Sequence, residues 1–257
     1  MTGNRAGIIA ALVSGGKFGL ASSMNLPIFS DNLKSSASWT AQLAREQAAW
    51  DQALQSDESR RLVEARVREE QIQQALRRTE QGISEERLIE AAGLVSSWAS
   101  APDAEFSVER LLDLHRALTG APAGEDVLRK TEPLPINAMH DPTPALLLPR
   151  MLDNAFDWFS TESFKDLHPV ERAAVVYLRL LDLYPFPANA EMTALLAASF
   201  YTERDGLPPL VIFADETTLA RYRHALEAAF RMLTQPLVEF FAEMLVRAMR
   251  VGLDGEQ

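Results

Sequence analysis

The chain has 257 residues, a net charge of −11 and no cysteine. Its length and its apolar share of 47% suffice for one large domain with a sizeable core. The acidity, with an isoelectric point of 4.9, argues against general nucleic-acid binding and against docking on anionic lipid. The lack of cysteine excludes a disulfide framework and a thiol nucleophile, and it fits a reducing, cytoplasmic compartment.

Residues 1–37 are predicted to form a weakly ordered tail, because they are rich in Gly, Ser and Asn and show no lasting period. A weak signal peptide is the alternative, since Arg5 precedes an apolar run over residues 6–13. That run is short and glycines follow it, which favours the tail. No apolar stretch of the sequence reaches the length that spans a bilayer, so no membrane association is expected.

Residues 38–83 are predicted to form an N-terminal helical extension, because helix formers dominate and Gly and Pro are missing over residues 33–81. Ser56 or Asp57 is expected to cap a second helix there. Over residues 60–80, four apolar side chains make a narrow stripe on an otherwise charged helix: Val63, Val67, Ile72 and Leu76. We favour packing of this helix on its own domain, and a partner-binding helix is the alternative.

Residues 84–252 are predicted to form one helical domain. Ser84 and Ser107 each stand where a helix cap is expected, and Gly120 stands where a helix should end. His168-Pro169 opens a helix whose second half carries few charges, and another apolar helix follows over residues 190–204. These two helices are expected to lie at the centre of the domain.

The segment 121–143 cannot be helical, because it contains four prolines. Its stretch TEPLPINAMHDP predicts an extended arm or a short hairpin. The fold class expected for the chain is therefore all-α, with one Pro-rich arm and an N-terminal helical extension.

In its domain the chain resembles the Fic (Fido) family, most of whose members transfer AMP from ATP to a target hydroxyl. The segments that carry the resemblance, in family order, are FSVERLLDLHRAL, LHPVERAAVVYLRLLDLYPF, TALLAASFYTERDGLPPLVI and YRHALEAAFRMLTQPLVEFFAEML. They cover roughly residues 84–247. The resemblance implies a helical bundle around two central helices, and it places the arm at 130–143 where the family has its substrate-docking flap.

The family signature HPFx[DE]GNGRxxR aligns without a gap on YPFPANAEMTAL. The aligned positions of this chain are Tyr184, Pro185, Phe186, Ala188, Asn189, Ala190, Glu191, Met192 and Leu195. The Pro-Phe pair is kept, whereas the positions that carry the chemistry are changed. This pattern predicts a degenerate active site on an intact scaffold.

Two of these changes affect catalysis and metal binding. The family histidine acts as general base, whereas Tyr184, with a reference pKa of about 10, keeps its proton at neutral pH. The family's acidic residue holds the magnesium that bridges the phosphates, and Ala188 has no oxygen to offer. We therefore expect no metal site at this position.

The other changes oppose the binding of phosphate. The family's Gly-rich turn lets backbone N–H groups approach phosphate, but Ala190 and Glu191 carry β-carbons there. Glu191 also adds a negative charge where phosphate would lie. Met192 and Leu195 replace the arginines that neutralise phosphate charge. No nucleotide cofactor is therefore expected.

Many family members also carry an inhibitory helix with the pattern [ST]xxxE[GN]. The stretch that begins at Ser96 aligns weakly with it, with Ser100 at the glutamate position and Ala101 at the glycine position. The alignment predicts a degenerate inhibitory motif.

The histidines offer no second site in the sequence. They are His115, His140, His168 and His224. No two of them have the spacing of a metal pair on one helix face, and they are expected to be packed, capping or surface residues, with His140 in the arm as the one of interest. Arg129 matches weakly the family's arginine before the flap, and an exposed basic residue is the favoured interpretation.

Two functional hypotheses follow. The first is a catalytically degenerate Fic-domain protein that binds no ATP–Mg²⁺ and acts as a binding or regulatory module. The second is a divergent transferase that moves a nucleotide or another phosphate-containing group onto a protein hydroxyl, with a site rebuilt from Tyr184, Asn189 or Glu191. A protein partner is expected at the arm 130–143 or at the helix 60–80, and the sequence leaves a homo-oligomer open.

Overall fold

The computed structural model of the chain describes residues 37–78 and 82–254. The α-helices in these ranges, in chain order, are α1 (Ala37–Ala53), α2 (Asp57–Arg78), α3 (Glu85–Ser100), α4 (Val108–Thr119), α5 (Leu148–Phe159), α6 (Glu162–Lys165), α7 (Pro169–Leu183), α8 (Ala190–Glu203), α9 (Glu216–Phe230) and α10 (Gln235–Leu253). A 3₁₀ turn, Ala145–Leu147, precedes α5. No strand occurs in the described ranges, which confirms the all-α prediction. The predicted tail lies outside them, except for its last residue.

The expected capping residues delimit the helices. The hydroxyl of Ser84 accepts from the backbone N–H of Arg87 at the start of α3, and that of Ser107 caps α4 in the same way. Gly120 ends α4 in the left-handed conformation with φ of 71°. Glycine adopts this conformation without the strain that a β-carbon would add.

The helices α7 and α8 form the centre of the bundle and pack along each other. Every residue from 192 to 202 in α8 is buried, and most of α7 is buried as well. The helices α3 and α4 cover α8 on further sides, while α10 packs on α7. No helix in the described ranges has the combined length and apolar content that a bilayer crossing requires.

The N-terminal extension shares the core of the domain. Both α1 and α2 pack against α10, and the indole N–H of Trp50 donates to the carbonyl of Gly206 at 2.9 Å. Val63, Val67 and Ile72 of α2 are all buried. The apolar stripe of this helix therefore packs on its own domain, as the favoured interpretation expected.

The segment 207–214, which contains two prolines, runs as buried irregular chain beside α2 and α8. Two glutamines of α2 bond to its backbone. Gln71 donates to the carbonyl of Leu210 at 3.3 Å, and Gln74 accepts from the N–H of Ala214 at 2.7 Å. These bonds replace the partners that a strand would have had, and they attach α2 to the core.

The segment between α4 and α5, which includes the arm at 130–143, forms neither a helix nor a hairpin. Residues 121–144 form turns and irregular chain. Pro133, Pro135 and Pro142 lack the N–H that a strand ladder needs, which accounts for the missing hairpin.

Candidate functional site

The turn between α7 and α8 carries the aligned motif and holds two non-glycine residues in the left-handed region. Tyr184 ends α7 with φ of 45°, and its N–H donates to the carbonyl of Leu180 at 2.9 Å. Asn189 precedes α8 with φ of 53°. Asparagine tolerates this conformation, whereas a tyrosine in it is strained. Neighbouring side chains must therefore hold the turn.

His115 of α4 packs against this turn from within the core. Its ring stacks on that of Phe186 with centroids 3.7 Å apart, and its Nδ1 lies 2.9 Å from Oγ1 of Thr193. The Thr193 hydroxyl donates to the carbonyl of Asn189 at 3.0 Å, so His115 is the donor to Thr193. Burial lowers the pKa of His115 to about 4, and Arg116 adds to this effect. The ring is therefore neutral at pH 7 and acts as a structural group.

Arg129 ties the arm to the same turn and is 3% exposed. Its side chain donates to the backbone carbonyls of Thr131, Thr143, Leu183 and Tyr184. Its backbone N–H donates to the carbonyl of Pro185 at 2.9 Å. The expectation of an exposed basic residue is thus wrong, because the helix end and the arm present carbonyls that this guanidinium satisfies.

Glu191, in the first turn of α8, forms an ion pair with Arg78 from the end of α2. The Arg78 side chain is 8% exposed and lies over the ring of Tyr222 at 5.6 Å. The hydroxyls of Tyr222 and Tyr177 are 2.5 Å apart. Burial and then the charge of Glu191 raise the pKa of both tyrosines well above the usual value. The positive end of the α8 dipole therefore meets a carboxylate that already has its counter-ion.

Met192 and Leu195, at the positions of the motif's arginines, are 7% and 3% exposed. Together with side chains of α2 they line a cavity of about 10 Å³. That volume holds about one water, whereas ligand pockets measure about 300–1,000 Å³. Ala188 offers no ligand atom, and the described ranges contain no cluster of three His, Cys, Asp or Glu side chains that could hold a metal. The side chains of Ala188, Met192 and Leu195 thus offer neither a metal ligand nor a positive charge.

The residues aligned with the inhibitory motif lie at the other end of α8. The hydroxyl of Ser96 donates to Oε2 of Glu203 at 2.6 Å, and Arg204 donates to the carbonyl of Ala101 at 3.0 Å. Ser100 is exposed. Glu203 ends α8, about 18 Å along the axis from its first turn. The structure does not bring these residues together with the motif turn.

The remaining histidines have structural positions. His140 in the arm is buried, with its Nδ1 accepting from the N–H of Ile136 at 3.0 Å and its Nε2 lying 3.1 Å from the carbonyl of Asp182. These contacts tie the arm to α7. His168 caps α7 through its side chain, and His224 is exposed.

Sequence reasoning missed Arg78 altogether. It ends a charged amphipathic helix, a pattern that indicates a solvent-facing side chain. Its burial depends on how α2 crosses the start of α8, which no local pattern records. For Arg129 a signal existed, since the residue directly precedes the arm and matches a family position.

Comparisons with known proteins agree on the fold. No family model matches the chain. The protein adenylyltransferase fic-1 of Caenorhabditis briggsae is 28% identical over 141 residues, which is 54% of this chain and 27% of that protein. A Fic domain-containing signaling protein from Bacteroides thetaiotaomicron superposes with a TM-score of 0.70 at 16% identity, covering 84% of this chain and 99% of that one. The structure of IbpAFic2 in complex with adenylylated Cdc42 superposes with a TM-score of 0.52 at 14% sequence identity, covering 72% of this chain and 62% of that one.

The class that the bundle, the central helix pair and these similarities define is the Fic fold. The chain has this fold, and about half of its length is similar in sequence to a Fic adenylyltransferase. Its matched part spans just 27% of the curated relative, so the activity of that whole protein is not carried over with the fold.

Proposed function

We propose that this protein is a catalytically degenerate Fic-domain protein that binds another protein and does not bind ATP–Mg²⁺. The observation that supports this most is the occupation of the α8 N-terminus by the Glu191–Arg78 ion pair. In the family motif this end of the helix is the place of the nucleotide phosphates. Here the Glu191 carboxylate occupies the first turn, and the positive charge of its counter-ion Arg78 is already neutralised.

The surface that we assign to the partner is the apolar patch on and beside the arm. Leu134 is 88% exposed and Leu146 is 91% exposed. Met232 and Leu233 are exposed as well, on the turn after Phe230, whose ring lies 5.2 Å from that of His140 in the arm. Large apolar side chains that are exposed to this degree are typical of protein interaction sites.

The arm is favoured over the helix 60–80 because that helix buries its apolar stripe within the domain. Contact between a Fic domain and a protein is known for IbpAFic2, which was solved with Cdc42. For this chain we propose a protein partner at the arm, of a kind that matches the apolar patch.

Thermal unfolding with ATP and magnesium tests the first half of the proposal. A ligand at a hundred times its Kd stabilises by about 2.7 kcal/mol, which raises Tm by several degrees in a domain of this size. We expect no rise at millimolar ATP with Mg²⁺. A rise of several degrees would contradict the proposal.

Substitutions in the apolar patch test the second half. The variant Leu134→Asp with Leu146→Asp should lose a captured partner protein and keep the Tm, because both side chains are exposed. The matched control is Leu62→Asp, an exposed leucine on α2. Equal loss of capture in the control, or no loss in the double variant, would argue against the arm.

One observation favours the second candidate, a transferase with a rebuilt site. The Nη1 atom of Arg78 is buried and has no hydrogen-bond partner within the described residues. This cation comes from α2 and lies beside the motif positions that lost their arginines. Labelled nucleotides incubated with the protein and a lysate would reveal transfer. Transfer that Arg78→Gln abolishes and Arg77→Gln does not would establish the second candidate and exclude the first.

A further inference from the structure

A large groove lies at the end of α8 that is remote from the motif turn. Its volume is about 800 Å³, within the range of ligand sites. Six aromatic side chains line it: Phe106, Phe156, Phe159, Phe164, Phe200 and Tyr201. The other lining residues come from the loop before α4, from α4, α5, α6 and α7, and from the chain directly after α8.

The charges along this groove are strongly unbalanced. Six carboxylates line it against three cations. The cations are engaged within the protein: Arg172 binds Asp205 at 2.8 Å, and Arg204 donates to the backbone carbonyl of Ala101. Lys165 binds Glu162 at 3.3 Å. The groove therefore presents a net negative potential above an aromatic floor.

Four of the carboxylates form no ion pair within the described part of the chain: Asp103, Glu109, Asp153 and Asp157. Asp153 and Asp157 lie one turn apart on α5, close to its C-terminus. Like charges at this spacing repel, and negative charge opposes the helix dipole there. The helix is thus destabilised unless a cation is supplied from outside.

Tyr201 and Arg172 add polar groups to the wall of the groove. Tyr201 is 6% exposed and lines the groove. Its ring packs against those of Phe164 and Phe200, with centroids 5.4 and 5.2 Å apart, and its hydroxyl can donate to a bound molecule. Burial raises the pKa of Tyr201 well above its usual value, so the hydroxyl stays a donor. The Nε atom of Arg172, which also lines the groove, is buried without a hydrogen-bond partner within the described residues.

We propose that this groove binds an extended segment of a partner protein with basic residues at every second position. Asp153 and Asp157 are separated by about 6 Å along α5, because four residues rise 1.5 Å each. Side chains at i and i+2 of an extended chain are separated by about 6.6 Å, which matches this spacing. The alkyl stems of Lys or Arg cover aromatic surface, and Tyr201 is placed to donate to a peptide carbonyl.

This site is separate from the arm and does not depend on the proposed function. The probe is a fluorescent peptide of alternating lysine and phenylalanine, added to the full chain, with a glutamate–phenylalanine peptide as the charge control. Fluorescence anisotropy should show binding of the lysine peptide alone. The double variant Asp153→Asn, Asp157→Asn should weaken it about fivefold, the loss expected from two exposed ion pairs.

The matched control removes the same charge elsewhere, through Asp51→Asn with Glu58→Gln, both exposed residues outside the groove. This variant should leave the affinity unchanged, and Tyr201→Phe should weaken binding with no change in its salt dependence. Equal weakening in the control variant, or no binding of the lysine peptide, would overturn the proposal. A photo-crosslinking residue in place of Ser160, which lines the groove, tests whether another segment of this chain occupies it. Crosslinks to residues 1–36 without added peptide would assign the groove to this chain itself and overturn a separate partner.

Discussion

The two ends of α8 (Ala190–Glu203) differ in how their polar groups are satisfied. At the N-terminal end, Glu191 has Arg78 as its counter-ion, and Arg129 saturates the carbonyls of the motif turn. At the C-terminal end, a groove of about 800 Å³ carries carboxylates that form no ion pair within the described residues. The Glu191 carboxylate at the motif end is therefore paired within the protein, whereas four carboxylates at the groove end are not.

This difference shows that the fold and the binding surface depend on different residues. The Fic bundle is held by the buried apolar faces of α7 and α8, by His115 on Phe186 and by Arg129. None of these contacts needs the motif's arginines or its acidic residue. The chemical positions can therefore become Ala188, Met192 and Leu195 while the helices keep their places.

The largest effect is expected from removing the Arg129 guanidinium, which bonds to the carbonyls of the motif turn. Arg129→Ala leaves buried carbonyls without a donor, at about 1–3 kcal/mol each. Since such losses are not additive, we expect a total destabilisation of about 3 kcal/mol, measured by urea unfolding. Arg129→Lys should restore only part of it, because an ammonium cannot reach carbonyls on both segments.

Lys130 provides the control for this prediction. It adjoins Arg129 but is exposed and pairs with Asp126 on the surface. Lys130→Ala should change the free energy of unfolding by less than about 0.5 kcal/mol. If the two alanine variants were equally stable, Arg129 would not be what holds the arm to the turn.

An intermediate effect is expected from pH, through His115. Burial lowers the pKa of this histidine from 6.5 to about 4, so between these values the unfolded chain binds a proton that the folded chain does not. The stabilisation is complete above pH 6.5 and is lost as the pH falls towards 4. Between pH 7.5 and pH 5 this amounts to a loss of about 2 kcal/mol.

The measurement is the free energy of unfolding against pH for the wild type and for His115→Gln. The variant should show a flatter profile over this interval, and His224→Gln, at an exposed histidine, should follow the wild type. The pKa of His168 is also lowered, chiefly by burial, but it is present in all three proteins and cancels in the comparison. A parallel wild-type and His115→Gln profile would contradict the burial of a neutral ring.

Much of the scaffold could be predicted because its signals are local. Ser84 and Ser107 mark helix starts through their side chains, and Gly120 marks a helix end through its backbone conformation. The central position of α7 and α8 follows from how few charges they carry. The family motif could be placed for the same reason, since it is one uninterrupted stretch.

What could not be predicted depends on distant contacts. Arg78 and Glu191 are 113 residues apart in sequence, and Gln71 is 139 residues from Leu210. Neither pairing leaves a trace in the residues around it. The groove is likewise assembled from five separate segments, and its acids look in sequence like ordinary surface charges.

The smallest effect is expected at Asp157 beside the groove, where a substitution should raise stability and not lower it. Asp157 lies in the last turn of α5, one turn after Asp153, so Asp157→Asn removes both a like-charge contact and an unfavourable dipole interaction. We expect a gain of about 0.5 kcal/mol in the free energy of unfolding, which shrinks in high salt. The comparison variant Glu109→Gln, in the first turn of α4, should lose stability instead, because that carboxylate suits its helix end. If Asp157→Asn lost stability as well, Asp157 would have a partner inside the protein. The groove would then not need an external cation at this position.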